Sequence, residues 1–460
     1  MARTCKTFHL VAVAILWRHI SGLVPLMSTI PESVWEKGTR SQELMWQKTS
    51  RAGLDVSRLT FYASHVKAFT WKFDRVVNIS SVAFFLRVLP RSTTLFPAAR
   101  SIRFEDDREW FTLLLSGRIF ASPALEELYM NVCAYEAKLV FGQFNSLAPQ
   151  LKSLYLTGPS GGATWPPPNF CDQVLGPLVT VRLLTFECHD FATIEGLLVL
   201  SRIPTLEHVR VRLDSSRQSS FSTLLLVGPY FPALKTFKLY AGRLDKVTLA
   251  LLQAVNSPSL RRFELVVKAR AHGHLSEEVL IAHMTALGRA PFSIALRELR
   301  LFLSLDERLD PRYTVGIQVL QPLFGCSNLA ALQIFADTAT LDVSTCQNIA
   351  EAFPYLERLT FTDEGTDQYA GALYARPRQA QRAAPLEGLA VLAKRCRRLV
   401  ELSIPICVDY KEMPELPSAE DASTTIECGV MPLRLSNGRD YESRYAIEEY
   451  LRLLLPRRRV

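Results

Sequence analysis

The sequence predicts an elongated α/β solenoid, an irregular arc with short parallel strands along a concave face and helices along a convex one. Three observations predict it. An apolar-x-x-apolar-x-apolar pattern recurs in twelve aligned copies over 460 residues, and six of the eleven steps between copies fall at 25–28 residues. A proline stands one or two residues before the first apolar position of many copies, where it ends a preceding helix and admits an extended segment. Between copies, apolar residues recur at spacings of three and four, which is helical. One strand–loop–helix unit cannot cover its own apolar faces, whereas stacked units can. Stacking also answers the problem of length, because a single core stops growing near ~250–300 residues.

Each element follows from the residues in order. The first copies are Val66-Phe69-Trp71, Ala99-Ile102-Phe104, Leu125-Leu128-Met130, Leu151-Leu154-Leu156, Val181-Leu184-Phe186 and Leu206-Val209-Val211. They continue as Leu234-Phe237-Leu239, Leu260-Phe263-Leu265, Leu296-Leu299-Leu301, Leu329-Leu332-Ile334, Leu356-Leu359-Phe361 and Leu399-Leu402-Ile404, with a degenerate copy near Pro432-Leu433-Leu435. The preceding prolines are Pro97, Pro123, Pro149, Pro204, Pro232, Pro258 and Pro354. Helices are expected at 191–203, 244–256, 276–289 and 386–396. The domain plan is a short helical segment at 1–30, a linker or cap at 31–59, the solenoid at 60–455 and a basic tail at 456–460 carrying Arg457, Arg458 and Arg459. Inserted loops are expected near 158–170, 366–385 and 411–428.

The repeated pattern resembles that of leucine-rich repeats, L-x-x-L-x-L-x-x-N/C-x-L. At the N/C position only Cys133 and Cys407 match, so a continuous asparagine ladder is absent and neighbouring turns must satisfy their backbone groups by other means. Upstream, Ala2-Arg3-Thr4-Cys5-Lys6-Thr7-Phe8 and Ala14-Ile15-Leu16-Trp17-Arg18, followed by Leu23-Val24-Pro25-Leu26 and Ile30-Pro31, resemble the carboxy-terminal half of an F-box as found in fungal F-box/leucine-rich-repeat proteins. Read from the residues alone, one amphipathic helix carries Cys5 and Phe8, and a second turns Val13, Leu16 and Trp17 toward a partner or the first repeat. The resemblance implies that Cys5, Phe8, Leu16 and Trp17 contact a Skp-type adaptor. The first helix of a full F-box is missing from the sequence, so that docking is expected to be weakened or lost.

Composition and motifs exclude other classes. The chain has 53 Lys+Arg against 45 Asp+Glu, an excess of +8 that is too thinly spread to imply nucleic acid. No run reaches the ~18–20 apolar residues that cross a bilayer. Nine scattered cysteines with no C-x-x-C pair point to reduced, buried thiols in the cytoplasm or nucleus. Gly158-Pro159-Ser160-Gly161-Gly162 matches G-x-S-x-G, but Pro166-Pro167-Pro168 follows where a nucleophile elbow needs a helix. His272 and His274 lack a third ligand at metal spacing. No phosphate-binding loop occurs. No cofactor and no catalytic function are expected.

The surface expected to select a partner is the concave strip formed by the second, third and fifth positions of the pattern. It carries Arg210, Lys235, Lys238, Arg261, Arg262, Arg297 and Arg300, opposed by Glu207, Glu264 and Glu298. Glu126, Glu127 and Tyr129 make an acidic, aromatic stretch before it. Such a strip suits an acidic protein target held by arginine–carboxylate contacts. The resemblance implies a substrate receptor of an SCF-type ubiquitin ligase, with the repeats holding the target. The alternative is a repeat-only scaffold without ligase coupling.

Overall fold

A computed structural model describes residues 6–30, 35–37, 44–46, 55–71, 94–105, 122–131, 149–157, 175, 178, 181–192, 194–213, 230–269, 275–305, 313–336, 339–362, 384–404, 406–408, 427–428, 433–435, 449–450 and 453–454. Two compact units divide the chain, Met1–Val211 and Arg212–Val460. The G-x-S-x-G stretch, His272, His274, Cys5, most of the three expected inserted loops and the basic tail lie outside the described residues.

In the first unit the strands His19–Ser21, Ala68–Trp71, Ser101–Phe104, Glu127–Asn131, Ser153–Thr157 and Thr185–Ala192 pair in parallel, in chain order. Their apolar anchors align across the stack: Ile20, Phe69, Ile102, Leu128, Leu154 and Phe186 occupy one register line and all are buried. The strand His208–Leu213 runs across the boundary between the units.

Where the chain enters each strand, the backbone largely satisfies itself. In most of the described copies the carbonyl of the second residue accepts from the N–H groups of the second and third residues of the next copy. Lys67 O takes Arg100 N at 2.8 Å and Ser101 N at 3.2 Å; Glu126 O takes Lys152 N and Ser153 N at 2.8 and 2.9 Å. The same fork recurs in the second unit at Lys235, Arg261, Arg297, Ala330 and Glu357. Side chains add to it. The hydroxyl of buried Ser122 donates to Ala99 O at 2.8 Å, and that of buried Ser257 donates to Leu234 O at 2.7 Å. Both serines belong to the Ser-Pro pair before a copy, and both cap the first anchor of the copy before it. A buried carbonyl left unpaired costs about 1–3 kcal/mol.

The fork also corrects two readings of the sequence. Lys152 O accepts from Leu184 N and Thr185 N, which makes Leu184 a second position. The fifth described copy is therefore Leu183-Phe186-Cys188, not Val181-Leu184-Phe186; Leu183 and Cys188 are buried, while Leu184 is half-buried. Likewise Arg18 O accepts from Lys67 N and Ala68 N at 2.9 and 3.0 Å. Trp17 and Ile20 thus stand at the first two anchors of a copy preceding Val66, and 19–21 join the sheet rather than forming a purely helical segment. Two expected helices near the start are one, Lys6–Leu16, because no Gly or Pro interrupts it. Within 31–59, Trp35–Lys37 and Leu44–Trp46 form an antiparallel pair.

In the second unit Thr236–Ala241, Arg262–Ala269, Glu298–Leu305, Ala331–Ala336, Arg358–Thr362, Glu401–Ser403 and Glu427–Cys428 pair in parallel, in chain order. The strand that follows Glu401–Ser403 is Glu427–Cys428; the expected degenerate copy at Leu433–Leu435 instead pairs with Ile406–Val408 in a separate two-stranded sheet. Helices cover the buried side at Lys246–Ala254, Glu277–Arg289, Val343–Ala352 and Leu386–Arg395. Three begin at side chains that cap free N–H groups. Asp245 accepts from Val247 N and Thr248 N at 3.0 Å while Thr248 Oγ1 accepts from Asp245 N, a reciprocal box. Ser276 accepts from Val279 N and Asp342 from Thr345 N.

These helices pack closely. A Cβ on Gly288 would lie 1.8 Å from the Pro322 carbonyl oxygen, so only glycine lets Glu277–Arg289 meet the 3₁₀ turn Gln321–Gly325. Between Lys246–Ala254 and Glu277–Arg289, the buried His283 ring contacts Thr248 Oγ1 at 2.8 Å through Nε2 and Val279 O at 2.7 Å through Nδ1. Burial holds its pKa below the usual histidine value. Cys188, Cys326, Cys346 and Cys396 are buried, and burial pushes the Cys326 and Cys346 thiols up to about 12. Among the described residues no helix is long and apolar enough to cross a membrane, and no cluster of metal-ligating side chains occurs.

Candidate interaction surface

Strand alternation sends the anchors to the buried side and the third and fifth positions to the open side. In the second unit the third-position row reads Thr236, Arg262, Glu298, Ala331, Arg358, Glu401. The fifth-position row reads Lys238, Glu264, Arg300, Gln333, Thr360, Ser403.

This register brings the expected basic residues together with carboxylates instead of leaving a positive strip. Glu298, only 5% exposed, receives Arg262 Nε at 2.5 Å on one oxygen and Arg300 Nε at 2.6 Å on the other. Lys238 Nζ lies 3.0 Å from Glu264, which is also buried. These two rows hold four cations (Lys238, Arg262, Arg300, Arg358) and three carboxylates (Glu264, Glu298, Glu401), so the open face carries one net positive charge there. Arg210, in the first unit, lies 3.6 Å from Glu187.

The second-position side chains behave differently. Lys235, Arg261 and Arg297 stand at the amino-terminal edge of the strands, where their backbone carbonyls make the forked bonds. All three are exposed, and Arg261 and Arg297 make no ion pair among the described residues. The seven residues expected to act as one strip therefore divide into an ion-paired set on the open face and an edge set.

The first unit's open face carries an aromatic pair. Tyr129 and Tyr155 stack at 4.0 Å with 3° between ring planes, and the Arg103 guanidinium sits 4.3 Å over Tyr129. Burial raises the Tyr155 hydroxyl pKa above the usual tyrosine range. Tyr155 and Arg103 share the fifth position with Tyr129, so alignment of the copies alone would have found them.

At the start of the chain, the helix Lys6–Leu16 presents two faces. Val13 is buried, and Trp17 stacks on Tyr62 with centroids 4.6 Å apart. Phe8, Val11, Ile15 and Leu16 stand 58–68% exposed. Phe8, Val11 and Ile15 follow helical spacing and make one apolar stripe on the side away from Val13. Of the expected adaptor contacts, Phe8 and Leu16 are thus solvent-facing and Trp17 is held by the repeats. Val11 and Ile15 belong to the same exposed stripe, and their spacing from Phe8 was readable in the sequence.

No family model matches the chain, and no curated protein sequence matches it. Similar solved structures include a protein from Bacteroides fragilis (15% identity, TM-score 0.30), where the match covers 46% of this chain and 61% of that one. They also include the leucine-rich repeat-containing protein LegL7 from Legionella pneumophila (11% identity, TM-score 0.33, 65% of this chain and 84% of that one). A leucine-rich-repeat protein from Leptospira interrogans matches at 9% identity and TM-score 0.30, over 88% of this chain and 91% of that one. Those scores are low, and the assignment rests on the strand register and the buried leucine anchors described above: in both of its units the chain folds as leucine-rich repeats.

Proposed function

We propose that the chain is a non-catalytic, protein-binding repeat scaffold that serves, in the cytoplasm or nucleus, as the substrate receptor of an SCF-type ubiquitin ligase. The repeats would hold an acidic protein target, and the amino-terminal helix would dock a Skp-type adaptor. The contribution of such a receptor is proximity, which raises the local concentration of target lysines near an activated donor.

The observation that carries the ligase reading is the exposed stripe of Phe8, Val11 and Ile15 on a helix whose other side is tied down by Val13 and Trp17. A helix with an apolar face in water is one half of an interface, and the residues around it carry the F-box resemblance. The repeat-only scaffold is the second reading; the Trp17–Tyr62 stack favours it, because it gives the segment a capping duty independent of any partner.

Pull-down of a purified Skp-type adaptor by the full chain separates the two. Phe8→Glu with Ile15→Glu should abolish capture without changing the circular dichroism spectrum. Trp17→Ala should lower the melting temperature instead. If the parent chain captures no adaptor, or the double variant captures as much as the parent, the ligase reading is wrong and the repeat-only scaffold stands.

A further inference from the structure

We infer that the second unit holds its target through a groove at the amino-terminal edge of the strands, not through the open strand face, and that the groove takes an extended, carboxylate-rich peptide segment. This rests on the reading of the repeats as a protein-binding surface, and it is independent of ligase coupling.

The groove has a volume of about 570 Å³ and includes Arg261, Ile294, Arg297, Tyr355, Glu357 and Arg398 in its lining. These residues come from the starts of successive copies, at the second position of the pattern and just before the first. Arg261 and Arg297 stand on adjacent strands in the same position. Arg398 lies at the far end, its guanidinium 4.8 Å over the Tyr355 ring. From the strand after Arg261 to the strand after Arg398 there are four strand spacings, roughly 19 Å at ~4.8 Å each. An extended peptide rises ~3.3 Å per residue, so about six residues bridge the two ends.

Charge selects the occupant. Three arginines face one carboxylate, Glu357, across the groove. The ion pairs that neutralise the open face at Glu264 and Glu298 do not reach Arg261 or Arg297. Paired guanidiniums one strand apart suit a carboxylate, and Arg398, oriented by Tyr355, suits a second one about five residues on. Between them Ile294, 65% exposed, and Tyr355, 44% exposed, offer apolar contact to an intervening aliphatic side chain. Glu357, one strand from the Arg398 end, would repel a phosphodiester backbone, which carries charge at every step, but faces only one residue of a peptide.

The test is fluorescence anisotropy of a fluorescein-labelled heptapeptide, Glu-Asp-Glu-Leu-Asp-Glu-Glu, titrated with the full chain at low and moderate salt. Arg261→Ala with Arg297→Ala should weaken binding at least tenfold, and Arg398→Ala about threefold or more. Arg262→Ala with Arg300→Ala should change it less than twofold. Equal affinity of the Arg261/Arg297 double variant and the parent would overturn the proposal. So would loss of binding in the Arg262/Arg300 variant, which would return the site to the open face and leave the scaffold reading intact. Tighter binding of a labelled single-stranded oligonucleotide than of the peptide would also overturn it, and would sink the protein-target reading with it.

Discussion

Removing the Glu298 carboxylate should destabilise the second unit and at the same time make its open face positive. Glu298 accepts guanidinium N–H groups from Arg262 at 2.5 Å and Arg300 at 2.6 Å. Hydrogen bonds to charged groups contribute roughly 1.5–3 kcal/mol each. The arginine side chains stay 48% and 30% exposed, so water screens much of that contribution, and deleting the buried carboxylate recovers its desolvation cost. What remains is a net loss of about 1–2 kcal/mol for Glu298→Ala. Urea denaturation of the parent, Glu298→Ala, Arg262→Ala and the double variant measures the loss and the Arg262–Glu298 coupling, expected near ~1 kcal/mol. The variant should also bind an acidic peptide several-fold more tightly on its open face, because Arg262 and Arg300 lose their internal partner. A Glu298→Ala chain as stable as the parent, with no coupling, would refute the reasoning: desolvation would then outweigh both bonds.

Two further outcomes follow from the helix layer. Gly288→Ala should cost about 2–3 kcal/mol, seen as a lower urea midpoint, because the added methyl meets the Pro322 carbonyl and overpacking outweighs the ~1 kcal/mol gain in helix propensity; a stabilised variant would contradict the packing described. His283 is kept neutral by burial, so the unfolded chain takes up a proton before the folded one does. Its contribution is intact above the unfolded value near ~6.5 and is lost as the pH falls below it, by at most ~1.4 kcal/mol per pH unit, levelling off beneath the folded pKa. His283→Gln should flatten the dependence of the urea midpoint on pH between 7.5 and 5, and an unchanged slope would show that another group carries it.

The repeats were readable because each copy spends three leucine-like anchors at fixed spacing, and a buried anchor tolerates few substitutes. The readings that failed are those where an anchor is neither aliphatic nor aromatic. Leu183-Phe186-Cys188 hides behind Val181 and Leu184, which offer an equally apolar pattern two residues earlier, and its third anchor is a cysteine. The copy at Trp17 and Ile20 hides because Gly22 stands where the third anchor belongs. Missing the shifted register also removed Glu187 from the fifth-position row, so its pairing with Arg210 went unseen. Likewise Arg262 and Glu298 are 36 positions apart, and only the pairing of their strands places them side by side. Counting charges along a chain gives a surface its total; the strand register decides how much of it is already spent inside.

The forked bonds at the second position have an implication of their own. They are made wholly by the backbone, so the stack is laced along that margin whatever side chain hangs there. Arginine, lysine, glutamate, alanine and leucine all occupy it in this chain, at Arg261, Lys67, Glu357, Ala330 and Leu184. That margin is a legend that can be rewritten letter by letter without loosening the binding of the book. A change of client would therefore need substitutions on this one line, while the leucine spine and its helices stay as they are.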